Sequence, residues 1–200
     1  RLGTLAALRR RGYSPETIRK LIWDIGPKPV DVTISWDNIN SQNRKLIDPI
    51  SHRYYYAPDP IITHIEGVQE EFNVRAPLHP QHPEMGTRTL HVKPRNGMAA
   101  VYLAGSDRSL VQSAKAVRLM GLFNFKPRGF VGDELRGDFI REDSGSTEVL
   151  PIVQWVQDDA NVSVDVVMPD ASRRKGLAEK GLVSEPAGSI IQFVRFGFGR

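Results

Sequence analysis

The sequence predicts a mainly β protein introduced by a short helical bundle, and three observations carry that prediction. Apolar residues recur at helical spacing, between capping residues, over roughly the first quarter of the chain. From Arg53 onward, short runs rich in β-branched and aromatic residues replace them, each bounded by Gly, Pro, Asp or Asn. These runs also follow one another closely, which suits barrels or sandwiches rather than a parallel sheet wrapped by helices. Pattern alone leaves one barrel or two open.

The helical signals come in order. Thr4 to Arg11 carries Leu5 and Leu8, then the basic cluster Arg9, Arg10 and Arg11, and Gly12 stands where a helix C-terminus is capped. Ser14-Pro15-Glu16 is a second start: a capping serine, proline at the first helical position and an acid suited to the helix dipole. Ile18, Leu21, Ile22 and Ile25 continue that helix to Gly26-Pro27. Ser35 caps a third, with Trp36, Ile39, Asn43, Leu46 and Ile47 on one side and Pro49 closing it. Strands are expected within 61–65, 89–92, 100–103, 117–125, 149–156, 162–167 and 190–198. The polar stretch 141–148 reads as a hairpin tip. Residues 171–180, with Arg173, Arg174, Lys175 and Lys180, read as a mobile basic loop or short helix.

Composition narrows the class. At 200 residues, 40% apolar and 25% charged, the chain can bury one large core or two small ones and is not disordered. A net charge of +4 is compatible with a polyanionic partner without demanding one. There is no cysteine, which excludes disulfides, zinc knuckles and thiol catalysis. No apolar run approaches the roughly 18 residues of a membrane span, so a soluble, cytoplasmic protein is the expectation. The chain begins at Arg1 without methionine and reads as a piece of something longer.

Catalytic signals are absent. The chain carries no H-x-G-H, K-x-S-K, G-x-x-x-x-G-K or G-x-S-x-G arrangement. His52, His64, His79, His82 and His91 show no metal-ligand spacing; His79 and His82 read as surface loop residues, and Glu70-Glu71 as a solvated pair. What remains is basic and aromatic residues interleaved. Arg53 leads Tyr54, Tyr55 and Tyr56, and strand alternation puts Arg53 and Tyr55 on one face. Single-stranded RNA is read by such faces, bases stacking on rings while guanidinium groups bond their edges. The alternative is a half-buried strand with Arg53 paired to an acid such as Asp59. The segment Gln192 to Phe198 leaves the same choice, between an RNA-reading edge and a terminal strand closing a core; Gln192 and Arg195 converge only across a bend.

The order of several segments carries a resemblance. T-L-A-A-L-R-R-R-G-Y (4–13), I-S-W-D-N-I-N (34–40), N-R-K-L-I-D-P (43–49), H-P-E-M-G-T-R (82–88), V-R-L-M-G-L-F-N (117–124), Q-W-V (154–156) and Q-F-V-R-F-G-F (192–198) together resemble the C-terminal, anticodon-binding part of glutamyl-tRNA synthetases of the archaeal and eukaryotic type, within the superfamily shared with glutaminyl-tRNA synthetases.

The resemblance implies a helical connector over 1–50, a proximal anticodon-binding β-barrel over 51–130 closed by about 181–200, and a distal barrel over 131–180. It implies base readers at Arg53, Arg118, Gln192 and Arg195, to which strand alternation adds the Tyr55 ring on the face of Arg53. A further reader in the glutamine enzyme is an arginine; here that position is Leu110, which suits a tRNA for glutamate. The implied partner is tRNA(Glu), with tRNA(Gln) as a further candidate, bound by a monomer. ATP and Mg²⁺ are implied for the full-length ligase and no cofactor for this part, which on its own is expected to be inactive.

Overall fold

The computed structural model describes residues 4–27, 29, 31–141 and 149–200. Three helices come first, each started by a side chain that takes an orphan amide. In α1 (Leu5–Arg10) the Thr4 hydroxyl accepts from Ala7, in α2 (Pro15–Ile25) the Ser14 hydroxyl accepts from Glu16, and in α3 (Trp36–Ile47) the Ser35 hydroxyl accepts from Asn38. Each such cap stabilises by about 1 kcal/mol relative to alanine. Leu8, Tyr13 and Ile39 form a small buried cluster, with Ile18, Leu21, Ile34 and Trp36 packed against it. Asn43 adds a polar tie inside it. Its Oδ1 accepts from the Ser14 amide at 2.9 Å and the Thr17 hydroxyl at 2.8 Å, while its Nδ2 donates to the Gly12 carbonyl at 3.2 Å.

Pro49 stops α3 in a single 3₁₀ turn, Asp48–Ile50, and the rest is mainly β. The strands are β1 (His52–Tyr54), β2 (Tyr56–Pro58), β3 (Ile61–Glu66), β4 (Phe72–Pro77), β5 (Thr87–Val92), β6 (Met98–Leu103), β7 (Val117–Leu119), β8 (Asn124–Val131), β9 (Glu134–Ile140), β10 (Ile152–Val153), β11 (Val156–Gln157), β12 (Asn161–Val167), β13 (Arg173–Glu179), β14 (Ile191–Phe193) and β15 (Gly197–Gly199). Among the described residues one further α-helix, α4 (Arg108–Ser113), lies between β6 and β7. Among the described residues no helix is long and apolar enough to cross a membrane.

A seven-stranded sheet in the order β10-β7-β8-β9-β3-β6-β11 carries most of the core, including Ile65, Leu103, Leu119, Phe125 and Leu135, and Trp155 joins them from the connection between β10 and β11. It is mixed: β3 runs antiparallel to β6 and parallel to β9. A register shift between Pro127 and Gly129 breaks the β8–β9 ladder, the kind of irregularity that bends a sheet. Two three-stranded sheets, β12-β13-β2 and β1-β14-β15, and the pair β4-β5 complete the molecule. At Gly176 a Cβ would lie 2.4 Å from the Ala57 carbonyl oxygen and 2.6 Å from the Tyr56 ring, so only glycine lets β13 approach β2.

Several expectations change. Residues 173–179 are strand β13 rather than a mobile loop or short helix, because β12 and β2 flank them on both edges. The runs 117–125 and 190–198 are each a hairpin. Gly121 at φ +69° makes the first turn and Arg195 at φ +62° lies in the second. Of the expected hairpin tip 141–148, residues 142–148 lie outside those described. Strand pairing also crosses residue 130: β9, β10 and β11 complete the sheet begun by β3, while β2 pairs with β13.

Candidate nucleic-acid interface

The turn that ends α3 delivers the chain into β1, which runs parallel to β14 with Arg53 opposite Gln192. Partners in register on neighbouring strands share a face, so these two side chains emerge together. The other edge of β1 is covered: the Arg53 amide donates to the Leu78 carbonyl at 2.7 Å. Arg53 Nη2 donates to Asp48 Oδ1 at 3.0 Å and lies 3.2 Å from His79 Nε2. Asp48, rather than Asp59, is its acid. Arg53 Nε and Gln192 Oε1 are both buried, and neither has a hydrogen-bond partner among the described residues.

The tyrosine run departs from simple alternation. β1 ends at Tyr54 and β2 begins at Tyr56, so Tyr55 sits where the chain changes sheets. All three rings are buried. Tyr56 stacks on Phe193 with centroids 4.6 Å apart, and the Tyr54 hydroxyl donates to Glu185 Oε1 at 2.6 Å. Tyr55, 6% exposed, packs in the main core beside Trp155 and beneath the Arg88 guanidinium. The expectation that its ring faces RNA is therefore corrected: the change of sheet turns it inward.

The other expected readers lie elsewhere. A bend does follow Gln192, but it carries Arg195 to Asp107, gripped through two bonds of 2.9 and 3.3 Å. Arg118 is on β7 in the seven-stranded sheet, where its Nε donates to Asn124 Oδ1 at 2.9 Å. Leu110 packs from α4 against the main core, and the nearby Arg108 lies over the Phe130 ring at 4.2 Å. Of the four predicted base readers, the structure brings Arg53 and Gln192 together.

Residues that the sequence did not mark complete the surroundings. His79 is fully enclosed, not a surface histidine, because the connection between β4 and β5 folds back along β1. Burial pushes its pKa down, the Arg53 and His82 charges push the same way, and Asp48 opposes them. Glu185 accepts from both His52 and Tyr54 at 2.6 Å. Burial raises its pKa, but those hydrogen bonds outweigh it and hold the carboxyl below its usual value. Glu179 accepts the Tyr55 amide at 2.6 Å and binds Arg88 through both carboxylate oxygens. A basic strip, Arg173 to Lys175 on β13, is exposed nearby in sequence to that glutamate.

Residues 51–144 match one family model, "tRNA synthetases class I (E and Q), anti-codon binding domain", and residues 152–200 match a second of the same description. The chain belongs to this anticodon-binding family. Among curated relatives, the glutamate–tRNA ligase of Methanopyrus kandleri is 43% identical over all of this chain and 35% of its own length. That of Pyrococcus furiosus is 42% identical over all of this chain and 34% of its own, and that of Methanothermobacter thermautotrophicus 36% over the same shares. The chain thus spans about a third of the length of the curated relatives it matches. The two family models together cover every strand from β1 to β15, with Arg53 in the first match and Gln192 in the second, while α1, α2 and α3 lie before both.

Proposed function

We propose that this chain reads the anticodon loop of a glutamate-accepting tRNA, tRNA(Glu) first and tRNA(Gln) as a further candidate, as one region of a glutamate–tRNA ligase. The observation that carries the reading is the Arg53–Gln192 pair, whose Nε donor and Oε1 acceptor are buried without partners among the described residues. An unpaired buried polar atom costs about 1–3 kcal/mol, and a base edge offering a matching acceptor and donor removes that cost. In this reading the helices are the connector and the sheets supply the walls of two anticodon-binding barrels. Lys and Arg side chains attract the phosphates, and about 0.7 is added to the slope of log affinity against log salt for each phosphate neutralised on a single strand.

ATP and Mg²⁺ belong to the whole ligase. The chain has no H-x-G-H or K-x-S-K arrangement to hold the nucleotide, and among the described residues no three metal-ligating side chains are grouped. In this reading the chain alone activates no amino acid, and an ATP–pyrophosphate exchange assay on it should stay flat, turnover there overturning that part of the reading.

The test is affinity for the anticodon stem-loop of tRNA(Glu) and for one changed at the third anticodon base. Arg53→Ala and Gln192→Ala should each weaken the first by about 1–3 kcal/mol and the second by less. Equal losses on both loops would reduce the pair to phosphate contacts. No loss on either would remove it from the interface.

A further inference from the structure

The apolar stripe of α2 is only partly covered. Thr17 is fully buried, and Ile18 and Leu21 pack on the cluster of Leu8, Tyr13 and Ile39. Ile22 lies one turn beyond Ile18, yet it is 65% exposed, and the adjoining Trp23 is 87% exposed. Both lie on the helix surface next to the Arg19 stem, which is three residues before one and four before the other. On α1, Leu5 is exposed although it stands three residues ahead of the buried Leu8. The cluster itself has three buried apolar side chains, a slender core for a bundle to stand on alone.

The charges on this helix cancel. Arg19 pairs with Glu16 and Lys20 with Asp24, each at 3.5 Å, which leaves α2 no excess of positive charge to draw a polyanion. The apolar face is also small. Ile22 and Trp23 together offer roughly a few hundred Å², whereas a separate partner that binds stably takes roughly 800 Å² from each side. A partner joined to the helices by the polypeptide itself escapes that requirement, because the linkage supplies a high effective concentration. The relatives have such polypeptide: about two-thirds of the length of the Methanopyrus kandleri and Pyrococcus furiosus ligases lies outside the part that this chain matches.

We infer that Ile22 and Trp23 are a docking face for the remaining polypeptide of the same ligase, which covers them with apolar surface and braces the small helical bundle. The inference rests on the reading of the chain as one region of a glutamate–tRNA ligase. The helices are then tied on two sides: to the strands through the 3₁₀ turn Asp48–Ile50, and to the rest of the ligase through α2.

The experiment is hydroxyl-radical labelling of the whole ligase, with oxidation of Trp23 read by mass spectrometry against the same ligase unfolded in urea. Trp23 should be oxidised at least about fivefold more slowly in the folded ligase. That protection should be the same from about 0.1 to about 10 µM ligase, and the same with or without tRNA(Glu). In the double variant Ile22→Ser, Trp23→Ser, amide exchange in α2 should quicken about tenfold while β3 and β6 keep their protection. If that variant does not fold, the labelling of the parent decides alone. Oxidation of Trp23 at the unfolded rate, or α2 exchange unchanged in the variant, overturns the docking. Protection that grows with ligase concentration assigns the face to a second copy, and protection that needs tRNA assigns it to RNA; either result overturns the inference. The same preparation is assayed for charging tRNA(Glu) with glutamate. Charging with Trp23 unprotected overturns the docking alone, and no charging overturns the functional reading beneath it.

Discussion

Arg195 occupies a left-handed turn at φ +62°, a conformation that costs a non-glycine residue of order 1 kcal/mol or more. What holds it there is Asp107, whose side chain is 4% exposed and which the arginine meets with two bonds. Truncating Arg195 to alanine leaves that carboxylate buried and unpaired, and should destabilise by about 1–3 kcal/mol. The urea midpoint should fall while the slope of the transition stays the same, and an unmoved midpoint would show that the pair adds nothing. The arginines themselves are legible as sequence, but their partners are not. Asp107 lies 88 positions from Arg195, and no local pattern joins them. Asp48, only five residues before Arg53, was in plain view, yet its role depends on a turn whose direction Pro49 alone does not give. The titrating residues give a second expectation. His79 has a folded pKa below its unfolded value, so its contribution to stability is present above the ordinary histidine range and is lost as pH falls through the lowered value. Thermal midpoints from pH 7 to about pH 5 should therefore drop less in His79→Gln than in the parent chain, and parallel curves would exclude the effect.

At the scale of elements, the runs with alternating β-branched residues were legible because alternation and burial agree, as in β3, where Ile61, Thr63 and Ile65 point inward. The elements that escaped had weak local signals. In β13 the sequence R-R-K-G-L-A-E has no β-branched residue, and its extended form comes from β12 and β2 on either side. The helix α4 is only six residues long and is held by Val111 and Leu110 in the core. At the end of β13 one side chain joins several elements. Glu179 takes the Tyr55 amide between β1 and β2, and Arg88 reaches it from β5 while lying over the Tyr54 and Tyr55 rings. The carboxylate is buried and the guanidinium largely so, at 1% and 11% exposure. Removing one partner of such a pair strands the other, so Glu179→Ala should cost about 3–5 kcal/mol, and Glu179→Gln, which still accepts the Tyr55 amide, less. Equilibrium unfolding of the two variants checks the order, and equal losses would mean that the charge is irrelevant there.

For the whole molecule, the same connections decide what can fold alone. A chain cut near residue 130, between the ranges that the resemblance assigns to a proximal and a distal barrel, would divide the seven-stranded sheet between β8 and β9. That cut removes β9 from between β8 and β3, so each loses the neighbour that covers its edge. It also takes β13 from β2 and β14 from β1. Exposed edges and an opened core leave too little buried apolar surface to offset chain entropy. We therefore expect residues 1–130 and 131–200, made separately, to give collapsed or aggregated material without dispersed amide spectra, and the uncut chain to unfold its β portion in one transition. The helices are a different case, since their small cluster around Leu8, Tyr13 and Ile39 is separate from the main core; they should lose hydrogen-exchange protection at lower free energy than β3 and β6. A well-dispersed spectrum from either half would show that the barrels are separable after all, and that the strands crossing residue 130 are a convenience of packing rather than a requirement of the fold.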